Sequence, residues 1–346
     1  MKTLELIKTA NLLVVNDKGI LAMDESSPTI KKRFEQYGIA TTEENRRAYR
    51  ELIITTPELN KYISGVILFD ETIRQQKKDG TPFMKIITDA KIIPGIKVDL
   101  GAKDMAGHSG EKITEGLDGL RDRLAEYYEM GARFAKWRAV ITIGNGIPSS
   151  GCIEANAHAL ARYAALCQEV GLVPIVEPEV LMDGGHSLDR CFGVTEEVLL
   201  TVFQHLYIQG VMLEGMLLKP NMMVPGLNCQ RQETIDEVAD ATVKCLKHAV
   251  PAAVPGIMFL SGGQSAELAS ARLNAMNERF KGRLPWELSF SYGRAIQQPA
   301  LEIWHGKEEN VQAAQKELIH RSRCNREARR GQYKATMETN VKQETI

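Results

Sequence analysis

The chain of 346 residues carries 43 basic and 44 acidic side chains, a formal net charge of −1, and 44 % of its residues are hydrophobic. This is the usage of an ordinary soluble globular protein. It excludes disorder, collagen-like repetition and a nucleic-acid partner held by bulk charge.

Short runs rich in Val, Ile, Leu and Phe recur along the chain, most of them closed by a Gly, Pro or Asp turn signal. In order they are Gly19–Asp24, Ile63–Phe69, Ile92–Asp99, Arg133–Val140, Leu172–Glu179, Gly215–Pro220, Gly256–Gly263 and Glu287–Gly293. Helical patterns lie between most of them. Asp118–Met130 puts Leu120, Leu124 and Tyr127/Tyr128 on one face, and Ala155–Val170 does the same with Leu160, Tyr163 and Leu166. Thr234–His248 and Ser265–Phe280 behave likewise, the latter opening after Gly-Gly with Glu267 in its first turn. Eight strands alternating with helices predict a parallel sheet, and eight is the number that closes a (β/α)₈ TIM barrel. A doubly wound open sheet is the competing architecture, but the first strand–helix turn lacks its glycine fingerprint. From about Lys307 the chain is strongly charged: His320–Arg330 reads as a solvated helix, and after Gly331 as a polar, mobile tail on a single barrel domain spanning 1–346.

No secretory leader is expected, because Glu5 and Lys8 interrupt the first apolar stretch. The longest apolar run, Ala249–Leu260, is broken by Pro251 and Pro255 and is too short to span a bilayer, so no membrane partner is expected. The six cysteines show no CxxC spacing and the seven histidines no HExxH. They read as reduced thiols of a cytoplasmic protein, with no local metal motif and no cofactor.

The strand ends hold the informative residues. Ala22/Asp24, Lys97/Asp99, Lys136/Arg138, Glu177/Glu179 and Lys219/Asn221 are each two apart, hence on one face of a strand. Charges on buried strands need partners, and one cavity holding four cations and four carboxylates satisfies them mutually. Such a set at the C-terminal end of a barrel reads as an active site for a substrate rich in phosphate and hydroxyl groups. Lys219 follows an apolar strand. Shielded from water and near other cations, a lysine there is held as a neutral amine able to form a Schiff base; a phosphate-binding lysine is the other reading. Ser261-Gly262-Gly263 opens a helix whose free N–H groups converge on an anion, and Arg294 follows the eighth strand where barrel phosphate sites often sit.

Seven segments resemble the class I fructose-1,6-bisphosphate aldolases in the family's own order: Gly19–Ser26, Pro94–Asp99, Phe134–Arg138, Val176–Glu179, Leu217–Asn221, Phe259–Ser265 and Ser291–Arg294. The resemblance implies a (β/α)₈ barrel, a metal-free Schiff-base mechanism without cofactor, a phosphorylated sugar substrate and a homotetramer. It further implies Lys219 as the Schiff-base lysine and Glu177 as the acid/base of carbinolamine dehydration, with Glu179 and Lys136 beside it. Asp24 then assists deprotonation of the C4 hydroxyl. Ser261, Gly262 and Arg294 resemble the C1-phosphate ligands, and Lys97, Arg138, Lys32 and Arg33 groups near the C6 phosphate. Ser27-Pro28 replaces the family's Thr-Gly, and the chain ends in Ile346 where many members end in a catalytic tyrosine. A non-catalytic scaffold retaining the fold is the alternative function.

Overall fold

The computed structural model describes residues 2–15 and 17–338. Eight strands form a closed, all-parallel barrel: β1 (Gly19–Ala22), β2 (Ile63–Leu68), β3 (Ile93–Lys97), β4 (Phe134–Ile141), β5 (Val173–Val180), β6 (Leu217–Leu218), β7 (Gly256–Phe259) and β8 (Glu287–Tyr292). Each pairs with its sequence neighbour, and β1 closes on β8 with Ile20 opposite Ser291. Every run expected to be a strand is one, and the barrel replaces the open-sheet alternative. The sixth is the shortest. A 3-10 turn at Leu213–Gly215 delays its start, yet the Lys219 amide still donates to the Val176 carbonyl at 2.8 Å and extends the ladder by one residue.

The four predicted helices appear as Leu120–Glu129, Ser150–Val170, Ile235–Ala249 and Ala266–Phe280. The starts of the last three are set by side-chain caps: Ser149, Thr234 and Ser265 each accept a backbone N–H from the first turn. Three features were not foreseen. Helix Leu188–Ile208 fills the β5–β6 crossover, a small antiparallel hairpin pairs Ala102–Asp104 with Lys112–Thr114, and helix Lys2–Val14 plugs the N-terminal end of the barrel. Glycine makes room for that plug. A Cβ on Gly65 would stand 2.7 Å from Leu13, and one on Gly256 would stand 2.5 Å from Val14.

The charged helix Val311–Arg330 corrects the expectation of a solvated element. Arg321, Ser322, Cys324, Asn325, Ala328 and Arg329 are buried along it. Arg321 reaches Ser270 and Glu338, while Arg329 donates to the carbonyls of Val14 and Lys18 and to Glu287. Nor does the chain leave the surface at Gly331. The Tyr333 amide donates to Asn274 at 2.8 Å, and a 3-10 turn at Ala335–Glu338 brings Glu338 back onto Arg321. Residues 339–346, including the end of the expected tail, lie outside the described residues.

Candidate active site

At the C-terminal end of the barrel a cavity of about 900 Å³ gathers every residue of the expected set: Asp24, Lys32, Arg33, Lys97, Lys136, Arg138, Glu177, Glu179, Lys219, Ser261, Gly262 and Arg294. Lys136, third in β4, is its hub. The ammonium lies 2.7 Å from Asp24, 3.4 Å from Glu177 and 3.9 Å from Asp99. Lys97 stands opposite Lys136 in the β3–β4 register, a like-charge pairing that would be unfavourable alone. Asp99 relieves it. One of its oxygens sits 2.7 Å from Lys97, and the other accepts the Arg138 amide at 3.3 Å.

Lys219 meets this network through Glu177, whose Oε1 lies 3.2 Å from its ammonium. The near neighbour of Lys219 is thus a carboxylate that it shares with Lys136. Glu177 Oε2 is buried, and although Lys136 is close enough to pair with its charge, no donor among the described residues is aligned for a hydrogen bond to it. Lys136, Glu177, Glu179 and Lys219 are all at most 7 % exposed, so their charges act in a medium far less screening than water.

Burial alone would raise the Asp24 carboxyl, but the ammonium groups of Lys136, Lys219 and Lys97 together hold it far below the usual carboxylate range. Lys136 shows the converse. Desolvation would lower it, and Asp24, Glu177 and Asp99 outweigh that and raise it well above a free lysine. At neutral pH the two are a locked ion pair.

Two cationic flanks frame the hub. On one, Gly262 takes a left-handed φ of 56° that turns the chain after Ser261, and Arg294 donates to the Gly262 carbonyl. Burial, then the neighbouring Arg33 guanidinium, lower the Arg294 pKa. Arg33 therefore stands beside this turn. On the other flank Lys97 is fixed by Asp99, and Arg138 is held by Glu179 across the β4–β5 pair. Lys32 lies exposed at the rim.

Some residues escaped sequence reasoning. Glu25 bridges Arg33 and Arg50 at 2.5 Å each and so fixes the Arg33 guanidinium. It follows Asp24 directly, and only the excess of nearby arginines hinted that it had a partner. Ser291, one residue before the Tyr-Gly-Arg run, puts a buried hydroxyl on the cavity wall with no partner among the described residues.

Fold and site define a barrel enzyme with a buried lysine–carboxylate centre between two anion cradles. A family profile described as fructose-bisphosphate aldolase class-I, glycolytic, matches residues 5–346. A probable fructose-bisphosphate aldolase class 1 of Xanthomonas campestris is 59 % identical over 331 residues, 95 % of this chain and 98 % of that one. Fructose-bisphosphate aldolase 4, cytosolic, of Arabidopsis thaliana is 53 % identical over 96 % of this chain and 85 % of its own length. A solved structure of fructose-bisphosphate aldolase from Plasmodium falciparum, in complex with TRAP and a small-molecule inhibitor, matches with a TM-score of 0.95 at 49 % identity and covers 96 % of each chain. The chain belongs to the class I fructose-bisphosphate aldolase family.

Proposed function

We propose that this chain cleaves fructose 1,6-bisphosphate reversibly to dihydroxyacetone phosphate and glyceraldehyde 3-phosphate, with Lys219 as the Schiff-base amine. The observation that carries this reading is the contact of Lys219 with Glu177, 3.2 Å apart and buried between two cationic cradles. Lys219 passes one ammonium proton to Glu177 across their 3.2 Å contact, the amine adds to the C2 carbonyl, and Glu177 returns the proton to the departing hydroxyl so that water leaves and an iminium forms. As Asp24 takes the C4 hydroxyl proton, the electrons of the C3–C4 bond move into the iminium, giving an aldehyde and an enamine. Protonation at C3 and hydrolysis release the ketose phosphate and free the amine. Lys136 steadies Asp24 and Glu177 throughout, and Glu179 holds Arg138. Ser261, Gly262 and Arg294 take one phosphate, with Arg33 beside them; Lys97, Arg138 and Lys32 take the other.

The scaffold alternative has no observation in its favour, since a buried network of this density stabilises little as scaffolding. A homotetramer in the cytosol accords with the family and with the cytosolic Arabidopsis relative; no described helix is long and apolar enough to cross a membrane. Borohydride reduction with dihydroxyacetone phosphate tests the assignment. A covalent adduct is expected on the peptide containing Lys219, with turnover surviving exhaustive chelation. An adduct on another lysine, or undiminished activity in Lys219→Met, overturns it.

A further inference from the structure

His320 and Cys324 are four residues apart on helix Val311–Arg330 and so share one face. Glu338, at the end of the 3-10 turn Ala335–Glu338, folds back onto that face. His320 Nε2 lies 3.2 Å from Glu338 Oε2 and 3.7 Å from Cys324 Sγ, and the three atoms fall within 4.8 Å of one another. None of the three residues lines the active-site cavity.

The two spacings from Nε2, 3.2 and 3.7 Å, are close to a metal's coordination edges. Zinc bonds of about 2.0 Å to nitrogen and oxygen and 2.3 Å to sulfur, at tetrahedral angles, set an N–O edge of roughly 3.3 Å and an N–S edge of roughly 3.6 Å. Imidazole, thiolate and carboxylate are also the donor types that zinc prefers. The carboxylate has outer partners that would orient it on an ion: the Tyr333 hydroxyl donates to Oε1 at 2.7 Å, and Arg321 to Oε2. Arg321 and Arg323 oppose a cation there. Glu317 and Glu267 lie on the acidic side of the same cluster.

We propose that His320 Nε2, Cys324 Sγ and Glu338 Oε2 bind one zinc-type divalent ion that clasps the C-terminal segment to helix Val311–Arg330. The neutral imidazole gives its Nε2 lone pair and keeps the proton on Nδ1. The thiol loses its proton to solvent as the S–metal bond forms, and water takes the fourth position. A metal takes the thiolate rather than the thiol, so uptake releases the thiol proton and affinity rises with pH.

The test is titration of the full-length, tag-free chain with Co²⁺ and then Zn²⁺. One equivalent of Co²⁺ should give a thiolate-to-cobalt charge-transfer band that one equivalent of Zn²⁺ bleaches. Cys324→Ser should abolish the band, and Cys229→Ser should leave it. Tyr333→Phe should retain it with affinity weakened about ten- to a hundredfold, as expected when an outer-sphere partner is lost. Because Cys324 is buried, Glu338→Gln gives an independent check: it must weaken Co²⁺ binding while the far-UV circular dichroism spectrum stays that of the wild type. No band in the wild type, a band that survives Cys324→Ser, or unchanged affinity in Glu338→Gln overturns the clasp. None of these results bears on the Schiff-base reading.

Discussion

At the residue scale the site depends on Lys136, because one ammonium neutralises carboxylates from three strand ends. Replacing it with Met removes the positive charge and leaves Asp24, Glu177 and Asp99 buried around an apolar side chain. Breaking a buried pair from one side costs about 3–5 kcal/mol, so Lys136→Met should lower unfolding free energy by that order in urea melts and abolish turnover. Unchanged stability would mean that the carboxylates rearrange toward solvent. Asp24 adds a pH signature. Its folded pKa is depressed, so its contribution to stability is complete above the unfolded value of about 3.9 and is lost as pH falls through the folded value. Asp24→Asn should therefore flatten the acid limb of urea midpoint against pH and leave the neutral-to-basic limb parallel to wild type. A wild-type-like acid limb in this variant would show that other carboxylates govern it.

At the scale of elements, the strands were legible because parallel strands buried on both faces read as apolar runs, and a charge interrupting one stands out. That is why Lys97, Lys136, Glu177 and Lys219 could be picked from sequence before their contacts were known. Helix Val311–Arg330 was misread for the opposite reason. Three of its buried positions, Arg321, Asn325 and Arg329, lie one turn apart, and their polar side chains blur the hydrophobic periodicity. Their partners, Ser270, Val14, Lys18 and Glu287, lie far away in sequence. Glu25 was illegible likewise, since its role appears only when Arg50 packs beside it. Two substitutions probe elements. A Cβ on Gly95 in β3 would stand 2.3 Å from the Phe134 ring of β4, so Gly95→Ala should cost about 1–3 kcal/mol by overpacking, read as a lower melting temperature. A neutral result would mean that Phe134 shifts freely. Arg294→Ala should weaken dihydroxyacetone phosphate binding by about 1.5–3 kcal/mol, the usual loss for a charge-assisted hydrogen bond, as measured by calorimetry. An unchanged dissociation constant would assign the phosphate to the Ser261–Gly262 backbone alone.

At the scale of the whole molecule, the two ends of the chain are bolted together beneath the chemistry. The helix Lys2–Val14 closes the N-terminal end of the barrel, and Arg329 and Arg330 of the long C-terminal helix fasten its exit to Asp17, Lys18 and Val14. The segment after that helix then returns to helix Ala266–Phe280 through Tyr333 to Asn274, and to its own preceding helix through Glu338 to Arg321. Truncation after Gly331 removes both ties. It leaves Arg321, 1 % exposed, with Ser270 as its remaining side-chain partner. The expected loss is about 3 kcal/mol, the low end for breaking a buried ion pair, because water reaches Arg321 once the segment is gone. Truncation after Glu338 keeps both ties and should melt at a higher temperature than the Gly331 truncation. Lys219 pairs with Glu177 and lies in the cavity that residues 332–338 do not line, so the Gly331 truncation should form the borohydride adduct. If the Gly331 truncation melts like the full chain, the Glu338–Arg321 pair contributes nothing to stability. If it stays folded but C–C cleavage falls about a hundredfold, some 2.7 kcal/mol of barrier, the segment serves the reaction rather than the fold.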